Sequence, residues 1–389
     1  MTTVLLFILI LGLLVFVHEF GHFIAARLSG MKVHEFALGF PPLAIGVYKD
    51  PVTKKLVWVS PRKAKRNAIE AGVSAAGEEY PATLYSLNLL PLGGFCRIKG
   101  ENGEEAAQKD SFGHKSTWKK SIVLVAGVTM NFVLAAVLLG IGFSVGLPTD
   151  VTNGIPEDAT VVSPPVTMVQ QVLTDSPAEK AGIKGADSII AVSGQHVINA
   201  SHAQALIEKS EGDMVSVTLQ RSGEEVTVDV VPEVLTEGKG YKLGVALADG
   251  AVLKYPWYLA LVKGMQAAWS SLLAIFISLY ILVKGLILGQ GAAFEVSGPV
   301  GIASIIGESV KLGVVYLINV TAMISLSLAA LNILPIPALD GGRLVFVWIE
   351  GITGKKVPMK YEQKAHTVGF VLLLILIVVV TFRDIAKLF

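Results

Sequence analysis

The chain has 389 residues, of which 52% are hydrophobic and only 16% charged; its net charge is +1 and its mean hydropathy is +0.62. This composition is typical of integral membrane proteins and excludes an ordinary soluble enzyme. The near-neutral charge gives no indication of a nucleic-acid partner. The single cysteine, Cys96, excludes an intrachain disulfide framework and a thiolate metal site, so any metal must be held by His, Asp or Glu.

A first membrane-spanning helix is predicted at residues 1–28. No charged residue occurs from Val4 to Val17, and the apolar run continues until Arg27. The run has no basic region at its start, and its removal as a signal peptide would discard two histidines that follow. We therefore expect it to be retained.

Residues 18–22 of this helix read H-E-F-G-H. Positions i and i+4 share one face of a helix, so His18 and His22 can direct both imidazoles at one ion, with Glu19 beside them to handle a proton. This is the H-E-x-x-H pattern of zinc-dependent hydrolases, and ionisable groups rarely persist inside a span without a function or a partner. A polar contact between helices of a bundle is the alternative.

Residues 29–116 carry twelve Lys or Arg residues, including a cluster at residues 62–66. Because cytoplasmic loops are enriched in Lys and Arg, this segment is predicted to lie inside the cell and the N-terminus outside. His18 would then lie ~21 Å along the helix from Val4, below the cytoplasmic surface of a hydrocarbon layer ~30 Å thick.

Residues 84–99 of this segment are too apolar for an ordinary loop and too interrupted by Gly and Pro to span. Such a segment enters the bilayer as a strand-like hairpin only where protein or a wet cavity covers its backbone. An exposed strand edge there would hold an extended substrate by strand addition, with Gly93 and Gly94 as the expected contacts. A hairpin packed on the cytoplasmic end of the bundle is the alternative.

A second span is predicted at residues 117–147, where the charge-free run Ile122 to Leu147 returns the chain to the outside. Asn131 is its one strongly polar side chain. Such an Asn usually makes a hydrogen bond between helices, so support of a metal ligand from behind is the most we expect of it.

Residues 148–251 have a soluble composition, with fifteen Asp or Glu residues against six Lys or Arg, and predict an extracytoplasmic domain. Residues 160–235 resemble a PDZ domain of the bacterial protease type, in particular the run S-P-A-E-K-A-G-I followed by D-S-I-I-A-V-S-G. Such domains usually have Gly-Asp where this chain has Ala186-Asp187. A PDZ domain binds extended peptide ends by strand addition. The expected elements are strands at 169–173 and 188–192, a helix at 201–209 and a hairpin at 215–220 and 226–231.

Residues 257–289 are apolar enough for hydropathy to predict another span. A crossing here would reverse the next apolar run, 312–334, and leave its end on the wrong face for the site described below. We therefore predict interfacial or partly inserted helices over 252–311.

A third span, at residues 312–342, ends in N-I-L-P-I-P-A-L-D-G-G. Asp340 lies at this helix break, where a carboxylate is hard to explain without a cation. If the span runs inward, Asp340 reaches the depth of His18 and His22. Two histidines, one carboxylate and a water then form an open catalytic zinc site. Pairing of Asp340 with Arg343, or capping of the next helix, is the alternative.

Four features together resemble the site-2 protease family of intramembrane metalloproteases, and within it the bacterial RseP type that cleaves anti-sigma factors. They are H-E-F-G-H in a first span, a PDZ-like insert, S-G-P-V-G-I at 297–302 and N-x-x-P-x-P-x-L-D-G-G at 332–342. The departures are one PDZ domain where some relatives have two, and Val128 where the family usually has Pro. The resemblance implies that 84–99 is a membrane-reentrant loop and that Asn332 lines the substrate cleft. Pro335 and Pro337 are predicted to bind the substrate as well.

After a cytoplasmic segment at 343–366, a fourth span at 367–389 returns the C-terminus outside. The sequence thus predicts a polytopic α-helical membrane protein with about four transmembrane helices, one extracytoplasmic α+β PDZ domain and a membrane-reentrant β-hairpin-like loop. Its predicted place is the bacterial cytoplasmic membrane, with the active site near the cytoplasmic side.

The predicted function is a zinc endopeptidase that cuts transmembrane segments of single-span proteins, such as anti-sigma factors or signal-peptide remnants, after a first extracytoplasmic cut. Its predicted partners are these substrates, the lipid bilayer and peptide ends bound by the PDZ domain. A membrane metal carrier with the same ligands and an inactive PDZ-bearing adaptor are the alternatives. The presence of Glu19 argues against the second, since an inactive relative would be free to lose it.

Overall fold

The computed structural model describes residues 2–61, 80–103, 106–173, 175–185, 187–221, 223–234, 240–289 and 297–386. The basic cluster at 62–66 lies outside the described residues. The chain divides into two compact units. Unit 1 combines Met1–Leu139 with Lys263–Phe389, and unit 2 is Gly140–Val262.

The first half of unit 1 combines two apolar helices with three strands. The elements are α1 (Thr2–Leu28), β1 (Val33–Lys49), β2 (Leu56–Val59), β3 (Leu84–Ile98) and α2 (Thr117–Val145). Helices α1 and α2 pack closely because Gly21 has no side chain: a Cβ there would lie 2.4 Å from the carbonyl oxygen of Ala126. A larger residue at this crossing would push the two helices apart.

Strands β1 and β3 each turn back on themselves and interlock. Ala37 in the first limb of β1 pairs with Phe95 on one side and with Ser86 on the other, so this limb lies between the two limbs of β3. The second limb of β1 continues the sheet and pairs with β2, for example Val47 with Trp58. The sequence predicted the doubled-back segment at 84–99 but not the partner strand β1.

Unit 2 is a small α/β domain. Its elements in chain order are β4 (Leu147–Asp150), β5 (Thr160–Val172), α3 (Pro177–Lys180), β6 (Ser188–Val192), β7 (Gln195–His196), α4 (Ala200–Glu208), β8 (Val215–Arg221), β9 (Glu224–Val230), β10 (Glu233–Val234), β11 (Tyr241–Lys242) and β12 (Val245–Lys254). The apolar faces of these elements form one core, which includes Val169, Ile189, Val217 and Leu219.

The main sheet of unit 2 has the order β4-β12-β5-β6-β8-β9, with β7 paired to β6. Strand β12 pairs with β5 along most of its length, whereas β4 covers only its residues 250–253. Beyond β4, the backbone of Asp249 is also bonded on this side, since its carbonyl accepts from the Val151 N–H at 2.7 Å. Among the described residues, the edge at 245–248 is therefore unpaired. The sequence-predicted strands and helix are present, and the sheet gains two strands, β4 and β12, that lie outside the predicted range 160–235.

The rest of unit 1 is helical: α5 (Trp257–Ile287, which begins in unit 2), α6 (Pro299–Leu312), α7 (Val314–Ile333), α8 (Asp340–Thr353) and α9 (Met359–Ala386). Among the described residues, five helices are long and apolar enough to cross a membrane, namely α1, α2, α5, α7 and α9. The sequence predicted about four, with 257–289 at the interface.

Helix α5 is the helix for which the sequence predicted an interfacial or partly inserted position. Its Trp269 contacts Phe132, near the middle of α2, with the rings edge to face and their centroids 6.3 Å apart. This contact fits the partly inserted form of the prediction better than a helix lying flat at the interface. That α5 does not cross the membrane completely stays a prediction.

Candidate metal centre

The two histidines of the H-E-F-G-H run lie one turn apart on α1, with their Nε2 atoms 3.1 Å apart. Both are buried, with exposed fractions of 8% for His18 and 7% for His22. His22 Nδ1 donates to the backbone carbonyl of Val123 on α2, at 2.8 Å. A carbonyl only accepts, so the proton of a neutral His22 is on Nδ1 and its Nε2 is free to bind an ion.

Asp340, the first residue of α8, meets these histidines from the far end of the chain. Its Oδ2 atom lies 3.0 Å from His18 Nε2 and 3.3 Å from His22 Nε2. The turn before it is so tight that a Cβ at Gly341 would lie 2.2 Å from the carbonyl oxygens of Ile333 and Leu334. The diglycine is thus the local reason why the carboxylate can reach α1.

Helix α9 holds this turn in place. The backbone N–H of Ala338, which has a φ of +83°, donates to His366 Nδ1 at 2.8 Å. A Cβ at Gly369 would lie 2.2 Å from the carbonyl oxygen of Pro337, so α9 packs directly on the backbone of the turn. A residue with positive φ is strained unless its surroundings fix it, and His366 provides such a restraint.

Arg343 does not pair with Asp340, so the alternative in which it neutralises this carboxylate is wrong. Arg343 Nη1 pairs with Glu101, and Nη2 donates to Asn102 Oδ1 at 3.1 Å. Both partners belong to the segment that follows β3. Asp340 is left to the two histidines, and Arg343 ties the β1–β3 sheet to the helix that carries the carboxylate.

The residues fit a zinc ion. Ligand atoms of His18, His22 and Asp340 lie within 4.8 Å of one another, and two histidines with one carboxylate form a donor set of catalytic zinc sites. Next to these ligand atoms, α2 presents only the backbone of Gly127: a Cβ there would lie 2.5 Å from His22 Nε2 and 2.8 Å from His18 Nε2. Even a methyl group there would occupy the space beside the ligand atoms.

The other predicted site residues lie around this centre. Glu19 is partly buried and follows His18 directly on α1. Gly94 of β3 approaches the same helix, since a Cβ there would lie 3.7 Å from Val15 Cγ1. Gly93 has a φ of +139° and packs on the ring of Phe40.

The remaining three predicted residues belong to the end of α7 and the turn after it. Asn332 is partly buried in the last turn of α7, Pro335 is exposed and Pro337 is partly buried. No contact with the metal ligands is described for these three residues. Their predicted role in substrate binding stays a prediction.

Sequence reasoning did not identify Gly127 or His366. Gly127 carries a detectable signal, because it lies four residues before Asn131 and so on the same face of α2. His366 carries none, since a lone histidine in an amphipathic helix start has many possible partners.

Comparisons with known proteins identify the family to which this chain is similar. Residues 6–53 and 62–376 match the model of peptidase family M50. A protein of Clostridium acetobutylicum, named as a candidate zinc metalloprotease, is 30% identical over 381 residues, which cover 97% of this chain and 96% of the relative. The zinc metalloprotease RasP of Oceanobacillus iheyensis is 27% identical over 478 residues, covering all of both chains.

Among solved structures, the PDZ domain of an SdrC-like protein from Listeria monocytogenes matches 24% of this chain and 90% of its own length, at 17% identity and a TM-score of 0.20. The PDZ assignment of unit 2 stays a prediction. The family model covers most of the chain, and the residues that fit zinc lie within the matched ranges. This chain belongs to peptidase family M50, the site-2 protease family of zinc metalloproteases.

Proposed function

We propose that the protein hydrolyses a peptide bond within or near the membrane span of another protein. The observation that carries this proposal is the cluster of His18, His22 and Asp340, which joins α1 to the start of α8. Helix α1, and α7, which ends seven residues before Asp340, are both apolar enough to span a membrane. A soluble substrate would have to enter that apolar setting, whereas a membrane-spanning substrate is already in it.

The proposed roles follow from the chemistry of amide hydrolysis. His18, His22 and Asp340 would hold the zinc ion, which, when bound, acts as a Lewis acid that polarises a carbonyl and makes water more acidic. The Glu19 carboxylate accepts a proton from the attacking water and passes it to the leaving amine as the C–N bond breaks. Because Gly127 has no side chain, the space beside the proposed ligand atoms stays free for water and substrate.

The β1–β3 sheet is the proposed support for the substrate. A helical substrate hides its carbonyls in its own hydrogen bonds and must unwind before attack. The limb of β3 after Gly93 pairs with β1 on one side and passes α1 near Val15, about one turn before His18. Strand addition at this limb would hold an unwound segment in extended form.

Unit 2 is the proposed reader of peptide ends. A cavity of about 370 Å³ lies between α4 and the start of β12, lined among others by Leu173, Ile207, Leu243 and Leu247. The neighbouring edge of β12 at 245–248 supports strand addition by an extended peptide. We propose that it admits substrates that a first cut outside the membrane has already shortened.

Detergent-purified protein, zinc and a single-span test substrate provide the test, with and without a chelator. Cleavage that needs zinc and Glu19 supports the proposal. Zinc flux into liposomes without cleavage would instead identify a metal carrier. Substrate binding through unit 2 without cleavage would identify an adaptor.

A further inference from the structure

Asn131 of α2 is almost fully buried, with 1% of its surface exposed, directly behind one of the metal ligands. Its Nδ2 atom lies 3.4 Å from His18 Nδ1. Its Oδ1 atom has no hydrogen-bond partner within the part of the chain that the structure describes. Burying an amide oxygen without a partner costs about 1–3 kcal/mol, so a role for this oxygen is expected.

The requirements of the neighbouring imidazole supply that role. A neutral histidine that binds a metal through Nε2 carries its proton on Nδ1, and this N–H needs an acceptor. An amide nitrogen cannot accept, but a half-turn of the Asn131 amide exchanges its nitrogen and oxygen in the same space. Oδ1 then faces His18 Nδ1, and one rotation satisfies both atoms.

The same face of α2 serves the other histidine. Val123, Gly127 and Asn131 follow one another at intervals of four residues and so form one stripe. Val123 offers its carbonyl to His22 Nδ1, and Gly127 leaves room beside both Nε2 atoms. Asn131 completes the pattern as the acceptor for His18.

We propose that Asn131 is a positioning residue, which accepts a hydrogen bond from Nδ1–H of His18 and so keeps Nε2 of that imidazole directed at the zinc. A contact on α7 fixes the turn that carries it: Ser325 Oγ donates to the backbone carbonyl of Asn131 at 2.8 Å. This contact leaves the Asn131 side chain free to serve His18.

The competing explanation is that Asn131 only packs α1 against α2, as buried Asn residues in spans commonly do. The two explanations differ in which substitutions the site tolerates. Asn131→Asp keeps an acceptor of the same shape, whereas Asn131→Leu keeps the volume and removes the acceptor. Ser325→Ala removes a contact between α7 and the same turn of α2 without touching His18 and is the control.

The zinc dissociation constant of the full-length protein in detergent, measured by competition with a chelator, is the primary readout. We expect Asn131→Leu to weaken zinc about 10- to 100-fold, as removal of outer-shell partners typically does. Asn131→Asp and Ser325→Ala should bind zinc as the natural protein does. The visible spectrum of the cobalt-substituted protein should change in Asn131→Leu alone.

Two results overturn the proposal. One is unchanged zinc affinity in Asn131→Leu; the other is an equal loss in Asn131→Asp and Asn131→Leu, which identifies packing as the cause. If Asn131→Leu does not fold, Asn131→Ala removes the same acceptor without adding bulk and answers the same question.

Discussion

The two units bury polar side chains in opposite ways. In unit 1, His18, His22 and Asp340 come from α1 and α8 and have mainly one another as partners. In unit 2, Asp187 accepts hydrogen bonds from the Lys184 backbone and from two nitrogens of Arg221, at 2.6–2.8 Å. The side chains of unit 1 thus direct their lone pairs at a common space. The carboxylate of Asp187 is instead already neutralised by hydrogen-bond donors of its own unit.

This difference separates a site from a support. Lone pairs that converge without enough protons to share require a cation. Substitution of the residues that carry them should therefore lower zinc affinity and cleavage. A carboxylate whose donors are all supplied by its own domain predicts an effect on folding alone. Asp249 of unit 2 behaves like Asp187: it accepts from Thr167 Oγ1 at 2.7 Å and from the Ala200 N–H at 2.8 Å.

The strongest test of the comparison is Glu19→Gln. We expect cleavage to fall by about 10²- to 10⁴-fold because the proton acceptor is lost, while zinc content is unchanged. Metal analysis and a cleavage assay on the same preparation check this. Glu308→Gln, which changes a glutamate of α6 outside the site, should cleave normally, and retained cleavage in Glu19→Gln would refute the assigned base.

Asp340→Ala should lower zinc affinity by more than the roughly 10- to 100-fold typical of outer-shell changes, since it removes a proposed direct ligand. Cleavage should fall with the zinc content and return in part at high zinc concentration. Chelator competition measures the affinity. Zinc binding at natural strength would remove Asp340 from the ligand set.

Gly127→Ala tests whether the wall beside the ligands must be bare. The added methyl group would lie 2.5 Å from His22 Nε2, so we expect weaker zinc binding without loss of the helical fold. Gly12→Ala on α1, where a Cβ meets nothing within 4 Å, is the matched control. Equal zinc affinity in both variants would mean that the wall yields.

Asp187→Asn tests the other side of the comparison. We expect the substitution to lower the free energy of unfolding of unit 2 by about 1–3 kcal/mol at neutral pH. Zinc affinity and cleavage at the metal centre should be unchanged. Hydrogen exchange of unit 2 within the full chain measures the loss. Asp229→Asn on the exposed face of β9 is the control and should change little.

The pH dependence of this loss has a defined sign. The Arg221 guanidinium beside Asp187 holds the pKa of that carboxyl below its usual range. A lowered folded-state pKa stabilises the protein above the unfolded value of about 4, and the stabilisation disappears as pH falls through the folded-state pKa. The natural protein and Asp187→Asn should therefore converge in acid; a difference that grows in acid would contradict the assignment.

The smallest effect is expected at the pair of Arg343 and Glu101. Both side chains are partly exposed, so their coupling should be no more than about 1 kcal/mol. Because the pair ties the sheet to α8, Arg343→Gln should raise KM for a membrane substrate a few-fold and leave zinc affinity unchanged. The double variant with Glu101→Gln should be no worse than either single one; additive losses would show that the pair does not act as a unit.

The sequence was sufficient to predict that His18, His22 and Asp340 come together, because they occur in two short patterns whose chemistry is unusual inside apolar helices. The i, i+4 spacing of His18 and His22 fixes their common face, and the diglycine after Asp340 announces a sharp turn. In unit 2, strands β6, β8 and β9 and helix α4 were likewise predictable from alternation and turn residues, whereas β5 begins at Thr160, nine residues before the predicted start at 169.

The supporting contacts were not predictable, since each joins residues far apart in the chain. Strand β1 has no strong alternation and is identified only by its pairing with β3. Arg343 was a plausible partner for Asp340 by proximity in sequence, yet it pairs with Glu101, 242 residues away. Local patterns carry no information on such contacts.

The distance in sequence between the ligands has a consequence for biosynthesis. Asp340 follows His18 by 322 residues, so a ribosome adding about 5–20 residues per second produces the carboxylate roughly 16–64 s after the imidazoles. Until residue 340 has been made, a nascent chain carries only two of the three proposed ligands. Such a chain cannot assemble the proposed zinc site, and hydrolytic competence begins only after Asp340 has been added.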